Sequence, residues 1–180
     1  IMVGSLFTAL ISLVKFTADT ESQLPVITYW LMGSLSSIKV RDVQFLCIPF
    51  VVGFLPLCIL CWRMNLLTVG DEEARAMGVN TTRLRLIVVI CATLLTASSV
   101  AVSGMIGWVG LVVPHLGRRL VGNDYRALMP ASMLFGAVFL LAVDNVSRNL
   151  LATEIPIGIL TAFIGAPFFL YLMMRKGGFR

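Results

Sequence analysis

An all-α, polytopic transmembrane bundle is the fold class this sequence predicts, and three observations predict it. Only 13% of the 180 residues are charged, about half the share found in soluble domains. Hydrophobic residues make up 58% of the chain, and the mean hydropathy is +0.95. No Asp, Glu, Lys or Arg occurs in the 32 residues from Leu86 to Gly117.

A span needs about 20 mainly apolar residues to cross a hydrocarbon core about 30 Å thick. Ile1–Ala18 fits a first span, interrupted only by Lys15 near its end, where a long side chain can reach the headgroups. It starts in an apolar run with no charged leader region and no small-residue cleavage site, so it does not read as a signal peptide; it reads as the opening of a fragment. Val43–Trp62 is a second, uncharged span. The run from Leu86 would be about 48 Å long as one helix, too long for one crossing, so it must turn. Gly104, Gly107 and Gly110 divide it into a span at 84–103 and a shorter one at 108–120. Leu128–Val143 and Ile155–Met174 complete six crossings.

Basic residues orient the bundle. With the 63–85 loop in the cytoplasm, ten (Arg63, Arg75, Arg83, Arg85, Arg118, Arg119, Arg126, Arg175, Lys176, Arg180) fall inside and four (Lys15, Lys39, Arg41, Arg148) outside. If the short segment re-entered without crossing, the best split would be nine to five, so charge favours crossing by a small margin. Tyr29, Trp30, Trp62 and Tyr171 then fall at the interfaces.

Several function classes drop out. Four cysteines inside apolar runs and a single histidine, His115, support neither a disulfide framework nor a Cys/His metal site. The Cys58/Cys61 pair has no charge beside it to lower a thiol pKa and reads as packing. No phosphate-binding loop, zinc-hydrolase or nucleophile-elbow motif is present, so the chain reads as no enzyme and no metal or catalytic residue is assigned. Asp144 and Arg148, four residues apart, share a helix face and are expected to neutralise each other. Gly158, Ala162 and Ala166 recur every four residues, with Gly165 alongside, a face that lets backbones approach closely. In 65–85, Asp71, Glu72 and Glu73 open a short helix that Gly78 can close. By itself this segment is equally a solvated linker or a docking surface.

The segments TYWLMGSLSS (28–37), NLLTVGDEEARAMGVN (65–80), GMIGWVGLVVPHLGRRLVGNDYRALMP (104–130) and EIPIGILTAFIGAPFFLYLMMR (154–175) resemble the permease subunits of bacterial iron–siderophore, haem and vitamin B12 ABC importers. The resemblance covers almost the whole chain and implies a single permease domain over 1–180, equivalent to the second half of a fold of about ten spans. It implies an inner-membrane transport subunit that binds no cofactor itself, with ATP bound and hydrolysed on a separate ATP-binding cassette subunit. A second permease subunit, identical or different, and a periplasmic or lipoprotein substrate-binding protein are the other implied partners, with no nucleic acid. On this resemblance Gly70, Asp71, Glu72, Glu73, Ala74, Arg75, Ala76, Met77, Gly78 and Val79 form the loop that couples to the ATPase. Arg41 and Arg148 match outward positions that meet carboxylates of the binding protein, although both also read as solvated arginines, Arg148 paired with Asp144. Helices resembling Ile1–Ala18 and Ile155–Met174 line the path, with Gly158, Ala162 and Ala166 facing it. The cargo implied is an iron chelate, with haem or cobalamin next; an ion-coupled secondary transporter would need buried charges that the spans lack.

Overall fold

The computed structural model describes residues 1–36, 38–150 and 155–176. Ser37, Glu154 and Arg180, which the sequence reading used, lie outside the described residues, as do the side chains of Arg175 and Lys176. The described residues form eight α-helices in the order α1 (Met2–Thr17), α2 (Gln23–Met32), α3 (Val40–Leu66), α4 (Asp71–Ala76), α5 (Thr81–Ser103), α6 (Val109–Val121), α7 (Tyr125–Asn149) and α8 (Ile157–Lys176). Of these, α3, α5 and α7 are each long and apolar enough to cross a membrane, and α1 and α8 supply shorter apolar stretches.

All six predicted spans fall on helices, but α2 was not foreseen. Its sequence, QLPVITYWLM, carries Pro25, three β-branched residues together and two aromatics, all weak helix formers. The helix forms because Pro25 sits in its first turn, where no amide is needed, and Gly33 at φ +75° closes it.

The most extensive helix pair is α3 with α5, and a glycine sets their separation. A Cβ on Gly53 would lie 2.8 Å from Leu95 Cγ and 3.2 Å from the Cys91 carbonyl oxygen, so any side chain would force the helices apart. Of the Cys58/Cys61 pair read as packing residues, Cys61 is buried but Cys58 is exposed; Cys91 is a second buried free thiol. Gly117 allows a close but less strict approach of α6 to α7, where its Cβ would meet the side-chain ends of Leu128 at 3.1 Å and Ser132 at 3.2 Å.

With 13 residues, α6 is about 20 Å long, short of a full crossing. Its surroundings show how the chain still crosses. Before α6, Ser103 accepts a hydrogen bond from the Ser34 amide at 2.9 Å, which places the end of α5 beside the end of α2. After α6, Asp124 and Tyr125 bond the side chain of Asn65 at the far end of α3. The Met105 carbonyl lies against Gly158 of α8, whereas Trp108 lies against Gly165, seven residues further along that helix. Seven helical residues rise about 10 Å, and three extended residues reach about the same. The extended 105–108 stretch therefore covers the first third of the crossing and α6 the rest.

The surface is 12792 Å², against about 8,600 Å² for a compact soluble monomer of 19.7 kDa. The excess is apolar helix face: α1 buries none of its residues. These faces suit contact with lipid or with other membrane-embedded chain.

A cysteine introduced at Asn123, with the four native cysteines replaced by alanine, is expected to resist an impermeant thiol reagent added to intact cells and to react after permeabilisation. Labelling from outside at the rate of an exposed loop would show that α6 does not complete the crossing.

Candidate functional site

Two regions hold the residues singled out in the sequence, one at each end of α5. At the arginine-rich end, Gly70 at φ +142° starts α4, with the Glu73 carboxylate folded back into the space that a Gly70 side chain would occupy. The helix ends as Gly78 predicts. At φ +80° Gly78 donates its amide to the Arg75 carbonyl at 2.9 Å, and Val79 donates to the Ala74 carbonyl at 3.0 Å, the paired bonds that close a helix through a left-handed residue. Nothing lies within 4 Å of a Cβ placed on Gly78, so its requirement is backbone conformation and not space.

This short helix is tied to the start of α5. Ala74 is fully buried, Arg75 Nε donates to Thr81 Oγ1 at 3.4 Å, and Asp71 pairs with Arg85 at 3.0 Å. The last pair is exposed and contributes at most about 1 kcal/mol; the buried Ala74 and Thr81 do more to fix the position. Glu72, Glu73, Ala76 and Met77 remain exposed, leaving an outward face made from the predicted coupling residues.

A polar clasp beside α4 escaped the sequence reading. Asn65, in the last turn of α3, donates to Asp124 Oδ1 at 2.6 Å and accepts from the Tyr125 amide at 2.8 Å. Asp124 also caps α7 by accepting from the Arg126 amide at 2.9 Å. That backbone bond first, and the Asn65 bond second, hold the Asp124 carboxyl below its ordinary value of 3.8. The aspartate before a helical run was a readable capping signal, whereas its partner 59 residues away was not.

At the opposite end three glycines meet. A side chain on Gly104 would overlap the Trp30 carbonyl oxygen, and one on Gly33 would lie 2.7 Å from the Met105 carbonyl oxygen. One on Gly158 would overlap the Met32 carbonyl oxygen and lie 3.0 Å from that of Met105. The ends of α2 and α5, the descending 104–108 stretch and the start of α8 thus touch backbone to backbone. Ser147 of α7 fastens the same region by donating its hydroxyl to the Ile155 carbonyl.

Below this junction opens a groove of about 830 Å³ between α2, the 105–108 stretch and α8. Gly158, Ala162 and Ala166 all line it, so the structure brings the predicted path residues together on one wall. Met32, Trp108 and Phe163 form other parts of its wall, and no charged side chain lines it. Trp108 has φ +67°, is backed by Gly165, whose Cβ would lie 2.7 Å from Trp108 Cγ, and tilts against Phe169 with ring centres 6.2 Å apart. Gly158 therefore serves both close approach and lining, while Ala162 and Ala166 serve lining. Among the described residues no cluster of His, Cys, Asp or Glu could hold a metal ion.

Arg41 is exposed in the first turn of α3, and Arg148 lies in the last turn of α7. Because α3 and α7 meet at their opposite ends through Asn65 and Asp124, both arginines sit at the end away from α4. The expected Asp144–Arg148 pair forms at 2.9 Å.

This arrangement, a small-residue groove with a short capped helix at the far end, is that of a known transport fold. The sequence profile of the FecCD transport family matches residues 1–175. The chain belongs to that family. It is 46% identical over 179 residues to the molybdate import system permease MolB of Haemophilus influenzae, covering 98% of this chain and 53% of MolB. It is 44% identical over 162 residues to the Fe(3+)-citrate import system permease YfmE of Bacillus subtilis, covering 89% of this chain and 47% of YfmE. Among solved structures, an inward-facing protein assigned as a metal-chelate type ABC transporter superposes with a TM-score of 0.91 at 46% identity, over 97% of this chain and 56% of that one. The chain spans about half the length of the curated relatives it matches.

Gly158→Val is expected to disrupt the junction, at a cost of about 1–3 kcal/mol from overpacking, whereas Ala162→Val should narrow the groove and leave the melting temperature near that of the parent. Thermal unfolding of the purified protein distinguishes them. The clasp should show the pH dependence of a carboxyl whose folded pKa is depressed. Its contribution is complete above the ordinary value of 3.8 and is lost as pH falls through the lower folded value. Between pH 8 and 5 the melting difference between parent and Asn65→Ala should stay constant, and it should shrink only in stronger acid.

Proposed function

We propose that the chain forms the second half of a permease subunit in an ATP-driven importer of the bacterial plasma membrane. The single observation that carries this reading is the groove lined by Gly158, Ala162 and Ala166, which starts below a closed backbone junction and has only neutral walls. Together with the family membership, it favours passage of a cargo whose charge is already enclosed. An iron chelate such as an iron–siderophore complex fits that description, with haem or cobalamin as close alternatives. Molybdate is a second reading, favoured by the 46% identity to MolB.

In this reading α4 and its flanks, Gly70–Val79, dock on an ATP-binding cassette subunit that carries out the hydrolysis. The exposed Glu72, Glu73 and Met77 are the side chains available to that partner. A second permease subunit supplies the facing wall of the path. Arg41 and Arg148 receive a substrate-binding protein from outside, through pairs that are individually weak and act mainly on the rate and orientation of encounter. An ion-coupled transporter is disfavoured because the Asp144–Arg148 pair lies at a helix end and neutralises itself.

In the complete importer reconstituted in liposomes, ATP-driven uptake of a ferric hydroxamate is expected, with molybdate uptake at least tenfold slower at equal concentration. The reverse order would assign the oxyanion as cargo, and uptake driven by a proton gradient without ATP would overturn the importer reading. Gly78→Val should place a side chain in a left-handed conformation costing about 1–2 kcal/mol. It should leave the protein inserted and abolish cargo-stimulated ATP hydrolysis; unchanged stimulation would remove the segment from the coupling path.

A further inference from the structure

We infer that the cavity between α3, α5 and the 77–80 turn is a binding site for an anionic phospholipid of the arginine-rich leaflet. The cavity holds about 630 Å³ and is separate from the groove. Its walls are Leu60, Trp62 and Arg63 of α3, Arg83 and Ile87 of α5, and the turn that closes α4.

The other arginines of α3, α4, α5 and α7 at this end each have a partner, and Arg118 and Arg119 lie on α6, which does not line the cavity. Arg85 pairs with Asp71, Arg75 bonds Thr81, and Arg126 stacks over Trp62 at 6.0 Å. The guanidinium groups of Arg63 and Arg83 have no partner among the described residues, and both line the same cavity. Two unpaired guanidinium groups beside one concave surface suit a phosphate group, which they can hold through several N–H donors each.

The depth of the cavity points to a lipid and not to a soluble protein surface. Leu60 lies six residues before Leu66, and Ile87 seven after Asn80, so the lining runs about 9–10 Å along α3 and α5 away from the loop level. That reaches from the headgroup zone into hydrocarbon. A phosphate at the arginines would leave acyl chain along Leu60 and Ile87, with the exposed Trp62 ring at the boundary between the two. Basic cavities between spans on the cytoplasmic side favour anionic over zwitterionic headgroups. Because Met77, Gly78 and Val79 form one wall, an occupying lipid abuts the segment assigned above to ATPase coupling. The leaflet rests on the orientation taken from the arginine bias; the binding itself does not.

Native mass spectrometry of the complete permease, purified from nanodiscs of phosphatidylglycerol and phosphatidylcholine, tests the site. The parent is expected to retain one tightly held phosphatidylglycerol per copy. Arg63→Gln with Arg83→Gln should weaken its retention about 25-fold, at roughly fivefold per arginine, with phosphatidylcholine retention unchanged. Arg63→Lys with Arg83→Lys should hold the lipid nearly as well as the parent. Ile87→Trp, which fills the cavity without touching charge, should also lose it, so a misfolded double variant would not leave the question open. Millimolar inorganic phosphate should not displace the lipid. Equal phosphatidylglycerol retention by the parent and a folded double glutamine variant would overturn the proposal, as would full displacement by inorganic phosphate, which would mark a free-anion site. In the importer assembled with its ATP-binding subunit, loss of that subunit from the double glutamine variant with phosphatidylglycerol retention intact would mark a protein contact and equally overturn it.

Discussion

The absence of side-chain volume at Gly33, Gly104 and Gly158 is the constraint on which the rest of the structure depends. Each glycine admits a carbonyl oxygen of another segment to where a Cβ would stand. Lipid provides no hydrophobic drive for helices to associate, so close packing of this kind is what holds them. The junction fixes where α5 stops, where α8 starts and where the chain begins its descent at 105. That extended descent in turn shortens α6 to 13 residues and leaves the groove below it, with Trp108 and the small face of α8 as walls.

The other end of α5 is fixed by different means. There the backbone approaches are replaced by polar and capping interactions: the α4 closure at Gly78, the Asp71–Arg85 and Arg75–Thr81 contacts, and the Asn65–Asp124 clasp. One helix of 23 residues, about 34 Å long, therefore joins the exposed face of α4 to the glycine junction. Gly53 keeps α3 against it along the way. A displacement imposed on α4 has a direct mechanical route to the closed end of the groove.

Much of this was legible because it follows from local chemistry. Six apolar runs, the acidic start and glycine stop of α4, the Asp144–Arg148 spacing and the small face of α8 are all patterns within one helix or one turn. The placement of α6 as a crossing rested on a narrow charge count and is supported by where Ser103 and Asp124 lie. What stayed hidden depends on segments far apart in the chain. Gly104 meets Trp30 and Asn65 meets Asp124 across 59 residues or more, and no periodicity signals such pairs. Helix α2 was missed for another reason: tertiary contact and a glycine stop override weak intrinsic propensity.

Through the Arg75–Thr81 and Asp71–Arg85 contacts and the buried Ala74, α4 and α5 form one body connecting the exposed helix to the junction. Spin labels at Glu72 and Ser98 in the complete permease, with its ATPase partner, test it through pulsed dipolar distances without nucleotide and with ATP trapped. A single distance distribution, unchanged between the two states to within about 2 Å, is expected if the two helices move together. A second distance population, or a shift of a full helical turn, about 5 Å, would show that α4 moves independently of α5 and would contradict it.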